Sequence, residues 1–436
     1  MSTQDDDGSQ QVPGSTEVPL WWDPAQNDLM RRRKAEQVRM LVEAFDRAGT
    51  PIGVYPSADR PEDMEFMYRK GVVLTRDADA DAVYDALGVD PGRDKGGRGV
   101  AYPTSGLEVI QLPETPDDTR DWFSELDNKL GVGVAVPDHV VHISPAGACP
   151  ATEPLPTVGS PVPSINTDPD TDGRQVRIAV VDTGLLPTVV ADHVWLAGVT
   201  GDLEPPSVGH YTGHGTFVAG IIRTMAPQAE VHVEGILIVG GAVFEADLAP
   251  ALARALDLMP DIISMSAGTT TRFGLPLLAM QVFNEQRLSQ TKGTVLVVSA
   301  GNDGDRGPFY PATFPWTVAV GALDVDGTRA GYSNHGSWVD VFARGSDVVN
   351  AYPKGDYHYQ ESPLAGQTAN FITGMASWSG TSFSAPLVSG LIAARMTWSG
   401  ESARQAARSL LAGARANASV GIGAVLEPGM GARPAP

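Results

Sequence analysis

Four short segments of this 436-residue chain carry side chains of the kinds that acyl transfer uses. Asp182 ends the run Ile178-Ala179-Val180-Val181 and precedes Thr183-Gly184. A carboxylate at the end of a buried strand can fix one tautomer of a histidine and stabilise its protonated form. It can equally cap a turn. His214 stands in Gly213-His214-Gly215-Thr216-Phe217-Val218-Ala219-Gly220. Flanking glycines ahead of a small-residue helix suit a general base, although any one of eight histidines can be purely structural. Ser382 lies in Ser379-Gly380-Thr381-Ser382-Phe383-Ser384-Ala385-Pro386, where an apolar helix through Val388, Leu391 and Ile392 begins. It reads either as a helix N-cap or as a nucleophile whose developing anion the helix N-terminus stabilises. The second reading needs a neighbouring base, because a free hydroxyl is hardly ionised at neutral pH. Asn302, in Ser299-Ala300-Gly301-Asn302-Asp303-Gly304, offers an amide donor for an oxyanion or simply forms a turn. Ser264-Met265-Ser266-Ala267-Gly268 ends a further strand in small side chains, where an extended peptide could add through main-chain hydrogen bonds.

The elements that must position these groups follow from the patterning around them. Apolar, β-branched runs at Val176–Val181, Val231–Ile238, Asp261–Met265, Thr294–Ser299 and Thr317–Val320 read as strands. Phe217–Met225, Leu248–Met259 and Pro276–Leu288 read as the helices between them. Continuous apolar strands alternating with helices predict an α/β, doubly wound parallel sheet in three layers over 176–428. Ligands of such sheets gather at the carboxyl ends of the strands.

The first third of the chain reads differently. Residues 1–20 are polar and acidic and are expected to be a disordered tail. Residues 21–64 are expected to be a helical extension, with a helix near 25–48 whose Val38, Leu41, Val42 and Phe45 repeat at helical spacing. The basic run Arg31-Arg32-Arg33-Lys34 is expected on a solvated face. Over 65–145, strand–helix–strand–helix–strand predicts a small α+β unit: Val72–Leu74, Ala78–Leu87, Leu107–Leu112, Asp117–Leu130 and Val132–Ile143. Residues 146–175 read as an exposed, cleavable linker, with five prolines between Pro150 and Pro163. Residues 429–436 are expected to be a tail.

Composition excludes several function classes. The formal charge is −21, from 31 Lys and Arg against 52 Asp and Glu. A surface this acidic repels phosphate backbones and anionic lipid, which argues against nucleic-acid partners. No run of about 20 apolar residues predicts a membrane span. The N-terminus shows no basic start and no apolar core, so the expected location is cytoplasmic, with export by another route left open. The single cysteine, Cys149, cannot form an internal disulfide. No Cys/His spacing suggests zinc.

Together these segments resemble the subtilisin-like serine proteases, the subtilase family. The resemblance covers about 175–428 and includes Ala226-Pro227, Tyr310-Pro311-Ala312, Val320-Gly321-Ala322 and Ser333-Asn334-His335-Gly336. It implies a triad in the order Asp182, His214, Ser382, with Asn302 and the Ser382 N–H holding the oxyanion. It also implies that Ser266, Ala267, Gly268, Ala300 and Gly301 line the pocket for the residue before the scissile bond. One departure is Phe342-Ala343-Arg344-Gly345, where the family commonly has Ala-Pro-Gly. Residues 65–145 are similar to the family's ferredoxin-like propeptide, an inhibitor and folding chaperone. The stretch Val134-Ala135-Val136-Pro137-Asp138-His139 resembles the Ala-x-Pro-Asn segment near its end, with Asp138 in the Asn position. That implies a zymogen that processes itself within 143–175 and acts on protein or peptide substrates. No cofactor is implied for catalysis. Structural calcium is common in the family, and Asp303, Asp305, Asp324 and Asp326 offer oxygen donors, although exposed turn formation is the favoured reading of them. The competing reading is a binding or scaffold protein whose protease-like domain is permanently occluded.

Overall fold

The computed structural model describes residues 24–89, 106–113, 119–143, 153–159, 161–291 and 293–431. The expected acidic tail at 1–20, most of the tail at 429–436 and Cys149 lie outside these.

Helix α1 (Pro24–Arg47) buries Ala35, Val38, Leu41 and Phe45 along one stripe, the spacing of a single helix face. Strand β1 (Ile52–Tyr55) pairs antiparallel with β2 (Phe66–Arg69). This pairing crosses the boundary expected at 64/65, because the β1 run Ile-Gly-Val-Tyr is too short to stand out by periodicity. Next come β3 (Val72–Arg76), α2 (Ala80–Leu87), β4 (Leu107–Gln111), α3 (Thr119–Leu130) and β5 (Ala135–Val136). The strands form an antiparallel sheet in the order β4-β3-β5. Val73, Val83, Ile110, Phe123 and Leu126 fill the core between this sheet and its two helices.

The last strand expected in this unit is broken. Pro137 lacks an N–H and ends β5, and the chain continues as a separate strand, β6 (Val140–His142). Strand β6 pairs antiparallel with β11 (Ala242–Phe244) of the C-terminal body instead of its own sheet. The expected linker is also partly built in. Glu153, Thr171 and Asp172 are buried, and β7 (Leu155–Pro156) pairs with Ala376 and Ser377.

The C-terminal body runs β8 (Arg177–Asp182), α4 (Pro187–Asp192), β9 (Thr200–Gly201), α5 (His214–Met225), β10 (Glu230–Gly235), β11, α6 (Glu245–Asp257) and β12 (Ile262–Met265). It continues with α7 (Leu278–Gln286), β13 (Val295–Ser299), β14 (Thr317–Leu323), β15 (Val341–Arg344), β16 (Val348–Ala351), β17 (Asp356–His358), β18 (Thr368–Asn370) and β19 (Met375–Trp378). Helices α8 (Thr381–Ser399) and α9 (Ala403–Ala416) and strand β20 (Val425–Leu426) close the chain. The main sheet is eight-stranded, parallel throughout, in the order β20-β15-β14-β13-β12-β8-β10-β9. Its central strands are buried on both faces, which is why they read as unbroken apolar runs.

The β8-to-β10 connection moves one way along the sheet and the β10-to-β12 connection moves the other. Helix α5 packs with α8 on one side of the sheet, and α6 packs with α7 on the other. Strands β8 and β12 flank the point where the direction reverses, so a cleft opens at their carboxyl ends. Helix α8 packs on α5 and crosses β12, β13 and β14, which carries its N-terminus to that cleft.

Candidate active site

Asp182 is the last residue of β8 and is fully buried. His214 opens α5, and its Nδ1 lies 2.7 Å from Asp182 Oδ1. A carboxylate oxygen accepts, so Nδ1 carries the hydrogen and Nε2 presents a lone pair. Asp182 Oδ1 also accepts the Thr183 N–H at 2.8 Å, which fixes the carboxylate plane. Gly215 is required by close approach: a Cβ there would lie 2.5 Å from the Gly184 carbonyl oxygen.

Two residues overlooked at the sequence level hold this turn. Thr183 Oγ1 accepts the Gly215 N–H at 3.0 Å and donates to Glu204 Oε2 at 2.8 Å. Glu204 also accepts the Gly213 N–H, at 3.0 and 2.9 Å to its two oxygens. Burial pushes the Glu204 carboxyl up to about 7, against its hydrogen bonds from Thr183 and Gly213 and with help from the Asp182 charge. Aromatic rings wall the imidazole: Trp378 edge-on with centroids 5.3 Å apart, Phe383 at 5.5 Å and Tyr211 at 6.2 Å. They exclude water and restrict the ring to one plane.

Ser382 is the second residue of α8 and is buried. Ser266 Oγ, past the end of β12, donates to the Ser382 carbonyl at 2.9 Å and ties the helix start to the sheet. Among the described residues, His214 Nε2 and Ser382 Oγ make no hydrogen bond to each other. Nucleophile–base bonds are often long without substrate and shorten in the Michaelis complex. Asn302 follows β13. Its Oδ1 accepts the Thr381 N–H at 2.8 Å and the Thr381 hydroxyl at 2.9 Å, which sets the amide orientation and turns Nδ2 to the other side. Asn334, in the Ser333-Asn334-His335-Gly336 motif, holds that loop: its Nδ2 donates to Ala300 O, and its Oδ1 accepts from the Asp303 and Asp305 N–H groups.

Ser266, Ala267 and Gly268 lie at the edge of the cleft and Ala300 and Gly301 face them from the next strand end; all five are buried. The edge at Gly268 is paired with the chain's own N-terminal part. The His142 N–H donates to Gly268 O at 3.1 Å and the Gly268 N–H to His142 O at 3.0 Å. The Ile143 N–H donates to Gly241 O at 2.9 Å. Residues 140–143 thus form the middle strand between 241–244 and 268, and Tyr211, which touches His214, donates to the Ile143 carbonyl at 3.4 Å. Just upstream, Asp138 Oδ1 accepts the Ala246 N–H at 2.9 Å in the first turn of α6. His139 Nδ1 meets Glu245 Oε2 at 2.9 Å while its Nε2 accepts the Arg272 N–H. Burial pushes Asp138 up to about 7, opposed mainly by Arg69.

Helix α1 reaches the same region from outside. Arg33, expected on a solvated face, is 1% exposed, and its Nε donates to Ser362 O at 2.6 Å. Gln37 Nε2 donates to the buried Glu361 at 2.8 Å, and Glu36 accepts from the Ser362 N–H and hydroxyl.

Two of the four aspartates expected as calcium donors serve as acceptors in turns. Asp305 Oδ1 accepts from the Arg306 and Gly307 N–H groups, and Asp326 Oδ1 from the Thr328 N–H and hydroxyl. Among the described residues no three His, Cys, Asp or Glu side chains converge as a metal site, and no helix is long and apolar enough to cross a membrane.

Residues 173–423, more than half the chain, match the Subtilase family. A thermophilic serine proteinase from Bacillus sp. (strain AK1) is 32% identical over 239 residues, which cover 50% of this chain and 51% of that protein. Thermitase from Thermoactinomyces vulgaris is 32% identical over 238 residues, covering 50% of this chain and 74% of thermitase. The chain thus spans only about half the length of some curated relatives it matches. The crystal structure of fervidolysin from Fervidobacterium pennivorans, described as a keratinolytic enzyme related to subtilisin, superposes with a TM-score of 0.56 at 20% identity. It covers 84% of this chain and 61% of fervidolysin, a likeness of fold.

Proposed function

The chain belongs to the subtilase family, and from that premise we propose that it is a serine endopeptidase held in check by its own N-terminal unit. The observation that carries the reading is the 2.7 Å Asp182–His214 bond, with the ring of Phe383, the residue after Ser382, 5.5 Å from the imidazole. On this reading Ser382 Oγ attacks the peptide carbonyl carbon while His214 Nε2 takes its proton. Asn302 Nδ2 and the Ser382 N–H stabilise the oxyanion. The tetrahedral species collapses to an acyl-serine as His214 gives its proton to the leaving amine. Water then repeats the sequence and frees Ser382. Asp182 holds the imidazole in the tautomer that accepts.

The strand at 140–143 supports self-inhibition, because it fills the groove a substrate backbone needs. It equally favours the second reading, a scaffold protein whose cleft stays occluded. Intact-mass measurement of wild type beside Ser382→Ala separates the two. We expect wild type to show a new N-terminus after Ile143 and before Glu153, since Glu153 and Leu155 are already bound to the C-terminal body. Ser382→Ala stays whole. Wild type is expected to turn over a fluorogenic peptide and to lose that activity to a serine-directed phosphonate. Identical mass and identical signal from both proteins would leave only the scaffold reading.

A further inference from the structure

We infer that Phe309 closes the pocket for the residue before the scissile bond, confining substrates to those with glycine, alanine or serine there. The inference rests on the endopeptidase reading and names its substrate class.

The argument starts from the two strand ends nearest the reacting atoms. Ser266, whose hydroxyl holds the Ser382 carbonyl, is two residues before Gly268. Gly301 directly precedes Asn302. A carbonyl carbon within reach of both Ser382 and Asn302 must send its side chain between these ends. Both ends carry glycine, so neither contributes a Cβ and a slot is left between them. The Phe309 ring occupies that slot. A Cβ added to Gly268 would lie 2.2 Å from Phe309 Cε1, and one added to Gly301 would lie 3.1 Å from both Cδ1 and Cε1 of the same ring.

The ring is anchored at its base. Thr269 and Tyr310 exchange N–H···O bonds of 2.8 and 2.9 Å, which fixes the Phe309 backbone beside Gly268. The Phe309 N–H donates to Thr313 Oγ1 at 2.9 Å, and the side chain is 2% exposed. The chain's own continuation past the occupied strand is consistent. After Ile143 it reads Ser144-Pro145-Ala146-Gly147-Ala148-Cys149, with nothing larger than proline or cysteine. The rival is a ring that swings aside into the neighbouring cavity of about 420 Å³, which Phe309, Asn334 and His142 line.

The test incubates the initially full-length chain with an equimolar mixture of peptides differing only in Gly, Ala, Ser, Leu or Phe at one central position. Cleaved bonds and rates are read by mass spectrometry, with Ser382→Ala as blank. We expect wild type to cut after Gly, Ala and Ser, and after Leu and Phe about 100-fold more slowly. Phe309→Gly and Phe309→Ala are expected to raise cutting after Leu and Phe at least about tenfold relative to Ala. Wild type cutting after Phe within about threefold of Ala overturns the inference, as a mobile ring would give that result. So does an unchanged ratio in a variant that retains the wild-type near-UV circular dichroism. If neither variant folds, the wild-type ratio decides alone. Absence of Ser382-dependent cleavage of every peptide sinks the endopeptidase reading itself, a result distinct from cleavage with the wrong preference.

Discussion

Asn302 has its amide oxygen committed to Thr381, so its remaining function is donation. Replacing it with Leu keeps the branched shape and removes the donor, together with the acceptor for Thr381. We expect kcat to fall about a hundred- to a thousandfold with KM nearly unchanged, the magnitude known for such a donor in the relative subtilisin; steady-state kinetics on one peptide measures it. Glu204 makes a pH prediction. Its carboxyl rises from 4.5 to about 7 in the folded chain, so the folded state binds the proton more tightly. The stability this contributes is full below the unfolded value and is lost as pH rises through about 7. Glu204→Gln keeps an acceptor for Gly213 without the charge. Its unfolding free energy should vary less from about pH 5 to about pH 8 and exceed that of wild type at the alkaline end, by on the order of 1–3 kcal/mol, with the thermal midpoint following the same trend. A midpoint that follows wild type at every pH would refute this. The candidate side chains stood out because their neighbours are local in sequence: glycines around His214, and a helix start at Ser382. Glu204 did not, because its partners Thr183 and Gly213 adjoin it only after folding. Phe309 was hidden for the same reason, its place being set by the Thr269–Tyr310 pairing.

Among the elements, the central strands were readable because burial on both faces makes them apolar without interruption. The broken strand at 132–143 was not, because its second half finds its hydrogen bonds on β11 and Gly268, far away in sequence. The junction is electrostatic as well as main-chain. Arg69 bonds Asp247 at 2.9 Å and lies over the Phe244 ring, and Arg272 bonds Asp127 at 2.6 Å with both side chains largely buried. Asp138 sits at its centre, raised from 3.8 to about 7 mainly by burial. Docking therefore favours the protonated carboxyl, and the contribution fades as pH rises through about 7. Asp138→Asn keeps the acceptor for the Ala246 N–H. In a Ser382→Ala background, which prevents processing, its melting midpoint should exceed the parent's at about pH 8 and match it at about pH 5. A larger gap at the acid end would contradict the assignment.

At the scale of the whole molecule, α1 is a strap across the two units. Its apolar stripe meets Val140, Ala242 and Phe244, while Arg33 and Gln37 reach the loop at 361–362 beyond them. The Arg33 charge opposes the burial that raises Glu153, and Gln37 bonds Glu361 directly. Removing both donors leaves two buried carboxylates less compensated. Arg33→Ala with Gln37→Ala should cost about 2–5 kcal/mol of unfolding free energy in a Ser382→Ala background, read by urea titration. A loss under about 0.5 kcal/mol would mean that the strap is only laid on the surface.

The groove at 241–244 and 268 takes hold of a chain through its amides and carbonyls rather than its side chains. On the proposed endopeptidase reading, a guest would therefore surrender several successive peptide groups at once. Native helices and paired sheets keep those groups engaged, so intact globular targets offer little to grip. Frayed termini, open loops and half-denatured chains offer them freely, and an N-methylated or proline-blocked stretch would slip past untouched.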